Sequence, residues 1–166
     1  MSNNPFKPPA TDPKNTPGSP IRAVLVGLAI DLGGTALLGL VLQVVYAMQV
    51  GTPDMTESQL HDALQNVPPD SGVMIAGHLL GALLSVAAGY VCARIVRRDE
   101  YRVGAIMAGA ALLLGMLLYP DDQPVDMTLL LILCDVACNM LGVKYGAEHN
   151  RRLEAPAAPP ADTPTP

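Results

Sequence analysis

Four long apolar runs, over residues 21–50, 73–94, 103–119 and 125–146, dominate the chain and leave it few ways to fold. Crossing a bilayer core of about 30 Å takes about 20 helical residues at 1.5 Å each. The first run exceeds that length and the third barely reaches it. None shows a polar face recurring every 3.6 residues, so packing all four as a soluble domain would leave no polar surface. Half of the residues are apolar, only 15% are charged, and the mean hydropathy is positive, a balance that fits lipid. The expected fold is all-α: a membrane bundle of four transmembrane helices.

The segments outside the runs are of two kinds. Residues 1–20 hold six prolines among Asn, Ser, Thr and Lys, and 147–166 end in Pro, Ala and Thr, so both are expected to be disordered tails. The first run follows Lys7, Lys14 and Arg22 like a signal peptide, but it is about twice a signal core of 7 to 15 residues and reads as an uncleaved anchor. Basic residues near span ends stay on the cytoplasmic side. Arg22 precedes the first run, Arg94, Arg97, Arg98 and Arg102 bracket the 95–102 turn, and Lys144, Arg151 and Arg152 close the fourth. The opposite connections, 51–72 and 120–124, hold no basic residue, and Asp54, Glu57, Asp62, Asp70, Asp121 and Asp122 fall in them, with Asp126 just beyond. Both termini are therefore expected in the cytoplasm, in a bacterial inner membrane. Tyr46 and Tyr119 at outer ends, and Tyr90, Tyr101 and Tyr145 near inner ends, suit the headgroup level.

Within the 51–72 loop, Thr56-Glu57-Ser58-Gln59 has the form of a capping box, and Leu60, Leu64 and Val67 recur at i, i+4 and i+7 before Pro68-Pro69. An amphipathic helix over 56–67, on the outer membrane face, is one expectation; a flexible acidic loop is the other.

Two acids stand inside the spans. Asp31 lies nine positions after Arg22 and Asp135 nine before Lys144, so each sits roughly 13.5 Å from its basic anchor. A carboxylate at such depth costs about 2.5 to 3.5 kcal/mol on insertion scales, and two that meet would force at least one to keep its proton. Polar rows accompany them: Gly27, Thr35, Gly39 and Gln43 with Asp31, and Thr128, Asn139, Gly142 and Gly146 with Asp135. Asp31, Asp135, Thr35, Gln43 and Asn139 form the candidate intramembrane polar site. It is either a set of interhelical hydrogen-bonding pins or a proton or cation relay.

Span two carries Gly77, Gly81, Ser85, Gly89 and Ala93, small residues at every fourth position that permit close helix approach. Span three repeats this in Ala105 with Gly109 and Ala111 with Gly115. Either packing within one chain or a seam with a second copy uses such rows. Cys134 and Cys138, one turn apart, are expected to be inert packing residues, and no disulfide framework is expected. His61, His78 and His149 lie in three separate segments, so no metal site is expected, and a net charge of −5 argues against nucleic acid.

Asp31-Leu32-Gly33-Gly34-Thr35 resembles the phosphate-binding motif of sugar kinases in the actin-like ATPase superfamily, but here it lies within a membrane span rather than on a soluble hairpin. In helix count and in one acid in the first span, the chain is similar to the small multidrug resistance transporters. It differs in having no Trp, a long outer loop, proline-rich tails and a strong charge bias. No enzyme activity and no cofactor is expected. The leading expectation is a non-catalytic scaffold, anchor or accessory subunit, with the lipid bilayer and a second copy or another membrane protein as partners. The alternative is a small proton- or cation-coupled transporter or channel subunit using Asp31 and Asp135.

Overall fold

A computed structural model describes residues 18–52, 54–118 and 125–154. The described residues are helical with no strands, and four helices are long and apolar enough to cross a membrane: Pro20–Val50, Gly72–Val96, Glu100–Leu118 and Thr128–Glu154. Most of the expected tails, together with Tyr119 and the whole of the 120–124 connection, lies outside the described residues.

Local chemistry sets where each helix starts. Pro20 opens α1 (Pro20–Leu28), and the Ser19 side chain accepts from Arg22 N. A π-helical turn over Ala29–Gly33 joins α1 to α2 (Gly34–Val50), so the first span is continuous but widened in its middle. In α3 (Glu57–Gln65), Thr56 N donates to Gln59 Oε1 at 2.9 Å while Gln59 N donates back to Thr56 Oγ1, a complete capping box. Ser71 caps α4 (Gly72–Val96) by accepting from Met74 N. A tight turn leads to α5 (Glu100–Leu118), with Arg97 at φ 58° and Asp99 at φ 54°, both in the left-handed region. The last helix is α6 (Val125–Glu154).

Two boundaries differ from the sequence expectation. The turn after α4 is shorter than 95–102, because α4 runs to Val96 and α5 starts at Glu100. Residues 147–154, expected in a tail, continue α6. Tertiary contacts explain the continuation: Ala147 is fully buried, and buried Asn150 donates through Nδ2 to Ala93 O at 2.9 Å and to Glu100 Oε1 at 3.3 Å. Asn150 thus adds a second donor to the Ala93 carbonyl, which also accepts from Arg97 N, and ties the end of α4 to the start of α5.

Span two is the centre of the bundle. α4 packs against α1, α2, α5 and, most extensively, α6, whereas the first span and α6 share no close backbone approach among the described residues. The core gathers Ala23, Ala88, Cys92, Val96, Val103 and Met107 toward the end where the α4–α5 turn lies. In α2, on the far side of the π-turn, no residue is buried. The bundle is packed at one end and loose at the other.

The α4–α6 seam is made by missing side chains. A Cβ on Gly89 would fall 2.1 Å from Asn139 O, and one on Gly142 would fall 2.0 Å from Val86 O. Ser85, Gly89 and Ala93 of the span-two row are buried there. The upper part of the row is different: Gly77 meets only Leu42, and Gly81 has nothing within 4 Å of a Cβ position. In α5 the buried set is Val103, Gly104, Met107, Ala108 and Ala111, so Ala105 and Gly109 face outward and Gly115 has no close neighbour. Cys92 is buried, but Cys134 is exposed on the outer face of α6, not packed as expected. Its neighbour along that face is Leu130, 62% exposed, which marks the face as apolar and outward.

Candidate functional site

The π-turn carries Asp31 and buries it at 5% exposure. Such i→i+5 turns are rare and widen the helix locally, which sets a side chain where a regular helix would not. Opposite it, on the buried face of α4, stands Ser85 at 3% exposure. Ser85 Oγ lies 2.8 Å from Asp31 Oδ1 and 2.5 Å from Asp135 Oδ1. The two acids of matched depth therefore meet, through a third residue on the span between them. Asp135 is half-buried, while Asp31 is enclosed.

Counting hydrogens fixes the chemistry of this trio. A serine hydroxyl has one proton to donate, and an ionised carboxylate has none. Ser85 can donate to one carboxylate, but its second short contact is a hydrogen bond only if the other acid donates its own proton to Oγ. With both acids ionised, one contact would set lone pairs against each other. The arrangement holds together when Asp31 and Asp135 share at least one proton.

The remaining polar candidates separate. Asn139, one turn from Asp135 along α6, is 1% exposed, and neither its Oδ1 nor its Nδ2 has a hydrogen-bond partner. Thr35 and Gln43 are exposed and do not join the acids. Gly34 packs on Leu84 and Leu42 on Gly77, so the contact edge of α2 runs through 34 and 42. Thr35 and Gln43 each come one residue later, turned about 100° from that edge.

Ser85 belongs to the small-residue row of span two, whose spacing points to packing, yet it links both acids. At the packed end, the Arg94 guanidinium lies 6.0 Å from the centroid of the Tyr90 ring, which meets the His149 ring edge-on at 6.2 Å. His78 is exposed, with Nδ1 2.8 Å from Met74 O. Among the described residues no three His, Cys, Asp or Glu side chains are grouped to hold a metal ion. Comparison with protein-family models, curated proteins and solved structures finds no match.

Proposed function

We propose that this chain is an integral protein of a bacterial inner membrane, with both termini cytoplasmic, and that it is a small proton- or cation-coupled transporter or channel subunit. The observation that carries the reading is the Ser85 hydroxyl within hydrogen-bond distance of both Asp31 and Asp135. A proton held on Asp31 passes to Ser85 Oγ as the Ser85 proton passes to the Asp135 carboxylate. Asp31 is then ionised, the serine is again a hydroxyl, and Asp135 is the acid. Charge and atoms balance; before a second transfer Asp31 takes up a proton, Asp135 releases one, and the hydroxyl rotates back toward Asp135. The location supports the same reading, since the trio lies between the packed half of the bundle and the half in which α2 buries nothing.

The test is proton flux in proteoliposomes under an imposed membrane potential, with a pH-sensitive dye inside. Asp31→Asn with Asp135→Asn keeps groups able to hydrogen-bond Ser85 but removes the ionisable pair. Flux at the level of empty liposomes is expected; wild-type flux from the double variant would end the transport reading, for cations too if their flux is also unchanged.

A second reading, a scaffold or accessory subunit, is favoured by one separate observation. Gly39, Gly81, Gly109 and Gly115 have nothing within 4 Å of a Cβ position, which leaves small-residue surfaces for a partner helix. Cross-linking in native membranes, followed by mass spectrometry, should then return a repeatable partner. Recovery of nothing, or of this chain alone, would count against that reading.

A further inference from the structure

A groove of about 390 Å³ opens at the packed end, between the start of α1 and the α4–α5 turn. Its two kinds of wall follow one another in depth. Val96, Val103 and Ile106 supply an apolar side, with Val96 and Val103 buried and Ile106 56% exposed. Arg98 and Arg102 supply the rim, Arg102 lying one turn before Ile106 on α5. Gly18 closes the far side and needs to be glycine, because a Cβ there would fall on the Ile95 carbonyl.

The charges at the rim are uncompensated. Among the described residues neither Arg98 nor Arg102 has an ion-pair or hydrogen-bond partner, although Asp99 lines the same groove. Two positive charges at the end of two spans, above an apolar wall, match a phosphate joined to an acyl chain. Basic pockets between spans bind anionic headgroups for this reason. We propose that this groove binds one anionic glycerophospholipid, its phosphate between Arg98 and Arg102 and an acyl chain along Val96, Val103 and Ile106. The site is separate from Asp31, Ser85 and Asp135, and its occupancy does not depend on any flux through them.

The experiment uses the full chain in a neutral detergent, with lipid adducts read by native mass spectrometry. Phosphatidylglycerol and phosphatidylcholine of matched acyl chains are titrated in turn. Wild type should retain phosphatidylglycerol over phosphatidylcholine. Arg98→Gln with Arg102→Gln should weaken retention roughly thirtyfold, the effect of two basic contacts at a membrane surface. Arg151→Gln with Arg152→Gln removes the same charge from exposed positions of α6 and should leave retention unchanged. Arg98→Lys with Arg102→Lys keeps both charges and should retain most of the adduct, whatever the glutamine pair does to folding. Equal retention of the two lipids, equal loss in the Arg151 and Arg152 control, loss in the lysine pair, or displacement of the lipid by an equal concentration of inorganic phosphate would each overturn the proposal.

Discussion

Gly89→Ala tests whether the helix seam and the acid site are one mechanical unit. The added Cβ would lie 2.1 Å from Asn139 O, 3.0 Å from Asn139 C and 3.1 Å from Val143 N, all backbone atoms that cannot swing aside. The seam must open by about 1.3 Å before the shortest of these relaxes to ordinary contact, and a gap of about 0.5 to 1 Å already forfeits a quarter to a half of a pair's dispersion. Overpacking of this kind costs about 1 to 3 kcal/mol. Alanine returns up to about 1 kcal/mol through its higher helix propensity at Gly89 and at Gly81 alike, so Gly89→Ala should end about 1 to 3 kcal/mol less stable than Gly81→Ala. Ser85 sits one turn away on the same face, and an equal opening there would stretch its 2.5 Å contact with Asp135 to about 3.8 Å, beyond hydrogen-bonding reach. Gly81→Ala is the matched control, because nothing lies within 4 Å of its Cβ position. Circular dichroism during denaturation in mixed detergent micelles measures both. A Gly89→Ala protein as stable as Gly81→Ala would refute the close-seam argument.

Ser85→Ala leaves the enclosed Asp31 carboxyl without that partner and should cost about 1 to 2 kcal/mol in the same denaturation assay, with a smaller cost when measured in an Asp31→Ala background. Asn150→Ala removes the bonds to Ala93 O and Glu100 and should destabilise by about 1 to 2 kcal/mol, with faster amide exchange at the last turn of α4 as the local signature. Asp99→Gly relieves a left-handed backbone at φ 54° and should stabilise by up to about 1 kcal/mol; a lower melting temperature would contradict that strain.

The spans were legible because lipid demands continuous apolar length, a property that needs no tertiary knowledge. The end of α6 was not: Glu148, His149, Asn150, Arg151 and Arg152 read as a polar tail, and the tertiary contacts of Ala147 and Asn150 show why the helix continues. The π-turn at Asp31 was equally hidden, since Ala29-Ile30-Asp31-Leu32-Gly33 has no feature that distinguishes five residues per hydrogen-bonded turn from four. Ser85 did leave a signal. It lies nine positions before Arg94, the same spacing that matched Asp31 to Arg22 and Asp135 to Lys144, and the depth rule used for the acids would have selected it. Thr35 and Gln43 share a helix with Asp31 but not its buried side, because the contact edge of α2 runs through their neighbours Gly34 and Leu42, which polarity alone does not reveal.

Among the described residues the first span and α6 have no close backbone approach to each other, yet the Ser85 hydroxyl reaches an acid on each. In mechanical language, span two is a post and the hydroxyl is a shackle between two lines. Its capacity is set by proton count. With one proton on the acid pair both lines are fastened; with none, the single serine hydrogen fastens one line and the other goes slack. The ionisation of a single carboxyl thereby decides which of the two acids the serine hydrogen holds.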